Sequence, residues 1–242
     1  MQCLKYTMKI VLVCILFSLV LFILSGTLFG NGQAKSKSVT VSANLFTQVV
    51  IDAGHGGRDG GAVSSEGYLE KDINLLQALC LRDFLCFAGT KNVMTREDDR
   101  LLCDENDPSL KGKLKMTDLK NRVGVAEENA GSIFVSIHMN KFPIEKYKGL
   151  QVYFSKNNEQ SRSLASAIQE NVKATLQPDN NRKCKGATSS IFVLDRITVP
   201  AVLVECGFLS NREDTNLLMS DLYRAKLSLV IGESILQTIA NN

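Results

Sequence analysis

Six short apolar runs, separated by longer segments of helical period, limit the architectures open to this chain. Val49–Ala53, Val93–Thr95, Ser132–His138, Leu150–Phe154, Ile191–Leu194 and Ala201–Val204 read as strands, with β-branched residues prominent among them. Between them, Lys71–Ala88 has a predicted apolar stripe of Ile73, Leu76, Cys80, Phe84 and Phe87. Thr117–Ala130 places Leu119, Val123 and Ala126 on one face, and Leu164, Ile168 and Val172 stripe a helix that stops before Pro178. A closing helix carries Leu222, Ala225, Leu229, Leu236 and Ile239. Strand runs that are apolar throughout, rather than alternating, indicate a sheet covered on both faces. The expected fold class is therefore α/β, a single domain over residues 48–242 with a mixed, mostly parallel sheet and helices on both faces.

The amino terminus has a different character. No residue from Ile10 to Leu24 is charged and the uncharged stretch continues to Ala34, with Lys5 and Lys9 before it and Lys35 and Lys37 after it. A membrane-spanning helix needs about 20 apolar residues, and a cleaved signal peptide needs a shorter run with a small-residue cleavage site. Residues 1–34 suit either reading, an uncleaved anchor or a signal peptide cut after Ala34. The flanking lysines put the amino terminus in the cytoplasm, so the rest of the chain is expected to work outside the membrane, anchored or secreted. Residues 35–47 read as a polar linker. The net charge is +3, and Lys5 and Lys9 account for two of those charges, which argues against a nucleic-acid partner. Of seven cysteines, Cys3 and Cys14 belong to the export segment, and the other five form an odd set without CxxC spacing. No disulfide framework is expected.

The chain has only two histidines, so any histidine-based site is nearly fixed in advance. In open α/β sheets ligands bind beyond the carboxyl ends of the strands. His55 follows the run VVIDAG, His138 ends SIFVSIH, and Glu205 ends AVLVE. Glu70 stands 15 residues after His55, at the start of the first long helix, where the connection can fold back over the same edge. Two imidazoles and a carboxylate make a three-ligand zinc site with one open position. Zinc held that way lowers the pKa of its water to about 7, and a nearby carboxylate must then move the proton. Glu205 is the best candidate, because an unpaired acid at the end of a buried strand is otherwise costly. On spacing alone Glu70 suits a helix start equally well. The glycine-rich stretch Gly54–Gly61 lacks the spacing of a phosphate loop.

The motifs IDAGHGGRDGGA with LEKD downstream, then FVSIHMN, then VPAVLVECGFLSN, resemble the zinc-dependent N-acetylmuramoyl-L-alanine amidases that cut peptidoglycan. The similarity covers roughly residues 48–240, with four motifs in order. It implies that His55, Glu70 and His138 are zinc ligands and that Glu205 is the catalytic carboxylate. It also implies the substrate bond, the amide between the lactyl group of muramic acid and L-alanine of the stem peptide. A bare catalytic domain behind a membrane segment most resembles the germination-specific amidases, which prepare cortex muramic acid for lactam formation. That would place the protein between the membranes of a developing spore. A vegetative wall amidase or autolysin, a zinc peptidase, and a non-catalytic wall-binding protein on the same fold are the alternatives. A lipoprotein activator at the same membrane is a further expectation, motivated by the lack of wall-binding repeats.

Smaller expectations concern neighbouring residues. Ala53 replaces a proline usual before the histidine and should loosen that turn, and Met139 should narrow the cleft. Strand alternation turns Cys206 away from Glu205. The charged stretch Glu97–Met116 reads as a solvated surface loop, with a lid or partner surface as the alternative, and Arg182, Lys183 and Lys185 read as solvated charges, with contact to stem-peptide carboxylates as theirs.

Overall fold

The computed structural model describes residues 48–241. The expected membrane segment, residues 1–34, and the linker, residues 35–47, lie outside them. Among the described residues no helix is long and apolar enough to cross a membrane.

The elements in order are β1 (Gln48–Ala53), α1 (Glu70–Phe87), β2 (Lys91–Met94), α2 (Leu114–Glu128), β3 (Ser132–Asn140), β4 (Gln151–Phe154) and α3 (Gln160–Thr175). Then follow β5 (Lys185–Gly186), α4 (Phe192–Arg196), β6 (Ala201–Phe208), α5 (Arg212–Met219) and α6 (Asp221–Ala240). They build a six-stranded sheet of order β2-β1-β3-β6-β4-β5. Every neighbouring pair is parallel except β4 and β6, so the sheet is mixed and mostly parallel, as the strand runs imply.

Strand alternation divides the core in two. On one face Val49, Ile51, Val135, Ile137, Val202 and Val204 are fully buried against Leu81 and Leu85 of α1, Ile168 of α3, and Leu227 and Ile231 of α6. On the other, Val50, Phe134, Ala201 and Leu203 pack against Ala126 of α2 and Val193 and Leu194 of α4. This second cluster is the smaller one. It gives out toward the carboxyl edge of the sheet, where Asp52, Ser136, His138 and Glu205 continue the same side of their strands.

Several helical faces differ from the sequence reading, for one physical reason. On α1 the enclosed residues are Ile73, Asn74, Gln77, Ala78, Leu81 and Leu85, whereas Leu76 is 40% and Phe87 91% exposed. Polar side chains are inside because they find partners there: Gln77 Nε2 donates to the Arg224 carbonyl and to Ser228 Oγ of α6. Counting apolar residues alone therefore rotates the stripe. The same holds on α6, where Leu222 and Leu229 are exposed and Arg224, Leu227, Ser228 and Ile231 are buried. On α2 the buried positions are Asp118, Arg122 and Ala126, with Leu119 and Val123 only partly covered.

Ile191–Leu194 is not a strand. Phe192–Arg196 forms α4, which lays Val193 and Leu194 over the small cluster, while the two residues of β5 take the edge beside β4. A short apolar run does not by itself distinguish strand from buried helix, and here the available edge was already taken. The helix α5, capped by the Asn211 side chain on the Asp214 amide, was not anticipated. Met139 is 2% exposed and belongs to the large cluster, so it does not narrow any cleft. Phe134 is the largest fully buried apolar side chain of the small cluster. Phe134→Ala should cost about 3–5 kcal/mol, read as a lowered urea midpoint with an unchanged slope.

Candidate metal centre

The loop after β1 brings the first histidine over the sheet edge. His55 has a φ of 60°, in the left-handed region that a side chain seldom adopts. Its backbone is held there by donors from α1, from α2 and from the segment after β2. Arg96 Nε and Arg122 Nη1 both donate to the Ala53 carbonyl, Arg96 Nη2 and Asn74 Nδ2 to the Gly54 carbonyl, and Arg122 Nη2 to the His55 carbonyl. Ala53 itself is fully buried and in register with Ile137, so the expected loosening of this turn is absent. Gly54 is required for a separate reason. A Cβ there would stand 2.2 Å from His138 Nε2, so the second imidazole is seated directly on bare backbone.

Past His55 the chain doubles back through paired amides, Gly56 N to Asp59 O and Asp59 N to Gly56 O. That turn sets Asp59 Oδ2 3.0 Å from His55 Nδ1, leaving His55 Nε2 directed at Glu70, 3.3 Å from Oε2. Lys115, at the start of α2, reaches the same Asp59 oxygen at 3.3 Å. Asp59 did not stand out in the sequence, although its i+4 spacing from His55 was a usable signal.

Glu70 occupies the first turn of α1, as its sequence position implied, but its side chain is 6% exposed and points into the centre. Oε1 is 2.9 Å from His138 Nδ1 and accepts the Met139 amide, while Oε2 accepts the Ala62 amide. Gly61 leaves room for this, since a Cβ on it would lie 2.5 Å from Glu70 Oε2. The rings of His55 and His138 meet edge-on with centroids 5.0 Å apart. One ligand atom from each of His55, Glu70 and His138 falls within 4.8 Å of the others, a grouping able to hold a metal ion.

Glu205 lies alongside. Its Cα is in register with that of His138 on the neighbouring strand, which puts both side chains on one face. Its Oε2 is buried without a hydrogen-bond partner, an orphan that invites an occupant. Burial, with some help from nearby Glu70, pushes this carboxyl up to about 7 despite the two imidazoles. Glu70 behaves in the opposite way: burial works against its charge, but the hydrogen bonds from His138 and His55 prevail and hold it well below the usual carboxylate range. Burial likewise pulls His55 down, yet the carboxylates of Asp59 and Glu70 outweigh it and raise the imidazole to about 9. The donor set of two imidazoles and a carboxylate, with a spare acid beside it, fits a zinc-like cation.

The remaining sequence candidates sort clearly. Cys206 is 1% exposed on the opposite face, in the large cluster, and takes no part. The stretch Glu97–Met116 is more than a solvated loop. Asp99 accepts from the Gly57 amide and from Lys71, Glu105 pairs with Arg58, and Leu101 is buried, so this segment braces the loop that carries His55. Lys183 pairs loosely with Glu170 at 3.9 Å and Lys185 is exposed in β5. Arg182 alone of these bases packs against the cleft side of the sheet.

Comparison with known proteins agrees with this geometry. The family profile described as N-acetylmuramoyl-L-alanine amidase (Amidase_3) matches residues 49–237. The germination-specific N-acetylmuramoyl-L-alanine amidase of Bacillus subtilis is 32% identical over 221 residues, covering 91% of this chain and 90% of that protein. Among solved structures, the CwlD amidase of Clostridioides difficile, determined in complex with the GerS lipoprotein, superposes with a TM-score of 0.76 at 36% identity, covering 81% of this chain and 100% of that one. The N-acetylmuramoyl-L-alanine amidase AmiC2 of Nostoc punctiforme gives a TM-score of 0.68 at 30% identity, covering 80% of this chain and 97% of that one.

The contact between Asp59 and His55 can be tested on metal binding alone. Outer carboxylates that fix a ligand imidazole typically contribute 10–100-fold in affinity. Asp59→Ala should weaken divalent-metal binding by about that factor, measured by competition with a chromophoric chelator.

Proposed function

Because this chain belongs to the N-acetylmuramoyl-L-alanine amidase family, and is an amidase on that ground, we propose that it is a zinc enzyme of the spore cortex. Its substrate bond is the amide joining the lactyl group of N-acetylmuramic acid to L-alanine of the stem peptide. The observation that carries the reading is the convergence of His55, Glu70 and His138 beside the unpartnered carboxylate of Glu205. In this reading those three residues hold zinc, and Glu205 is the general base and acid. Zinc bound there supplies a Lewis acid that polarises the amide carbonyl and makes hydrolytic water acidic enough to react at neutral pH.

The protein's own groups do the rest. Asp59 holds the Nδ1 proton of His55, which leaves Nε2 as the nitrogen able to meet a cation at the centre. Glu70 stays ionised between the imidazoles, and the amides of Ala62 and Met139 fix its orientation. Glu205 takes the proton from the attacking water and returns it to the leaving nitrogen of L-alanine. Burial lifts its pKa above the usual carboxylate range, which favours the return of that proton to the leaving nitrogen.

The spore role rests on the Bacillus subtilis relative and the Clostridioides difficile neighbour, both named above. A lipoprotein partner is proposed on the same footing, from the company in which the neighbour was solved. Residues 1–34 are proposed as the membrane segment and residues 35–47 as its tether, placing the catalytic domain outside the cytoplasm.

The deciding experiment is mass spectrometry of peptidoglycan fragments treated with the zinc-loaded protein. Free stem peptide beginning at L-alanine, with intact glycan, is the expected product. Cuts between amino acids would replace this assignment with a peptidase. Glu205→Gln should keep zinc and lose about 10²–10⁴-fold in rate, whereas His138→Ala should lose the metal itself.

A further inference from the structure

One charged side chain on the cleft side has no counter-ion among the described residues. Arg182 follows α3 and leads into β5. Its guanidinium carbon lies 4.4 Å from the centroid of the Phe208 ring and 5.7 Å from that of Tyr147. Nε donates to the Lys148 carbonyl at 3.0 Å and Nη1 to Gln151 Oε1 at 3.3 Å. Among the described residues Nη2 makes no hydrogen bond and no carboxylate lies within ion-pair distance of the group. All the other buried or half-buried arginines with a fixed orientation, Arg82, Arg96, Arg122 and Arg224, are paired with acids or saturated by backbone carbonyls.

Its position relative to the proposed acid follows from the sheet. Gln151 of β4 is in register with Glu205 of β6, and Phe208 with Asn140, which lies two residues beyond His138. Gln151, Glu205 and His138 therefore project from the same face of adjacent strands, and Arg182 is one hydrogen bond from the first of them. Gln151 is itself fixed, since its Nε2 donates to the Lys183 carbonyl. On the far side Arg182 borders a cavity of about 440 Å³ whose lining carries the acids Asp179, Glu213 and Asp214 as well as Lys148, so within that recess Arg182 and Lys148 are the groups able to attract a carboxylate. The guanidinium thus stands between the proposed catalytic centre and a recess large enough for further residues of a peptide.

An oriented guanidinium without an acidic partner, held over an aromatic ring, can receive a carboxylate in a charge-assisted contact. We propose that Arg182 is a specificity-determining residue that binds a free carboxylate of the acidic stem peptide, on the leaving side of the scissile amide. This rests on the amidase reading above. Recognition of the charge then selects stem peptides whose second residue keeps its α-carboxylate over those in which it is amidated.

The test uses two muropeptides that differ only in that group, carboxylate or carboxamide, with the full-length zinc-loaded protein. The native enzyme is expected to cleave the carboxylate form with a KM about 10–100-fold lower, the range of one charge-assisted contact. Arg182→Gln should raise KM for the carboxylate form to that of the amide form, leaving kcat and the amide form's KM unchanged, and Arg182→Lys should restore part of the difference. Equal KM values for the two forms in the native enzyme would overturn the proposal, as would an equal loss on both in Arg182→Gln, which is what a merely structural role of the stack on Phe208 predicts. Should Arg182→Gln fail to fold, binding of the two free peptides to the Glu205→Gln protein decides the matter: indistinguishable affinities would overturn the proposal. A native enzyme that cleaves neither muropeptide would count against the amidase reading instead.

Discussion

Arg122 is the residue on which the rest of the site depends. It leaves α2, is 2% exposed at its side chain, and meets Asp52 on β1 and Asp118 one turn back on its own helix. Asp52 in turn accepts from Thr95 at the end of β2 and from Ser136 on β3. Three strands and a helix are thereby tied at one buried point. Desolvating these charges is expensive, and removing one partner of such a set costs about 3–5 kcal/mol because the others are left uncompensated. Burial opposes the charge on Asp52, yet Arg122 and the two hydroxyls keep it below the ordinary carboxylate range. The same guanidinium, together with Arg96, grips the carbonyls of residues 53–55. A histidine at φ 60° is a strained element, and strain of that kind persists only where the surroundings over-determine it.

Above that anchor the centre is assembled from adjacent strand ends. β1, β3 and β6 are consecutive in the sheet, and each delivers its polar residue at the carboxyl edge: His55 just beyond β1, His138 in β3, Glu205 in β6. Glu70 arrives from outside the sheet, on the first turn of α1. Its two oxygens separate the imidazoles while the amides of Ala62 and Met139 take the remaining lone pairs. The neighbouring pair of glutamates shows how environment divides roles. One is surrounded by donors and stays charged, and the other is enclosed with no partner and holds its proton to about neutral pH.

Much of this was legible in the sequence because it depends on strand ends. Runs of β-branched residues that stop at His138 and Glu205 put those side chains at the sheet edge whatever the helices do. With two histidines in the chain, the imidazole positions needed no further choice. Glu70 remained ambiguous, since an acid in a first helical turn has an ordinary explanation and only the fold-back through Gly60 and Ala62 turns it inward. Helical faces were less readable. Asn74, Gln77, Arg122 and Ser228 are interior because each finds a partner supplied by a distant segment, and apolar periodicity cannot register that. The bracing of the loop by Asp99 was missed for the same reason, whereas Asp59, only four residues from His55, was within reach of the sequence. The apolar run Ile191–Leu194 became a helix because the competition for the sheet edge was decided elsewhere, by Lys185–Gly186.

The strand order β2-β1-β3-β6-β4-β5 means that the last strand of the chain lies between two earlier ones. β3 and β4 follow each other in sequence but never pair, because β6 occupies the space between them. A chain that ended before Ala201 would hold His55, Glu70 and His138 and still lack both the acid and the strand joining the two halves of its sheet. Ribosomal synthesis runs in that same direction, so the groups suited to gripping a cation precede by more than sixty residues the one suited to moving a proton. The cation-binding grouping and the acid beside it therefore come together only once the last-made strand has entered between β3 and β4.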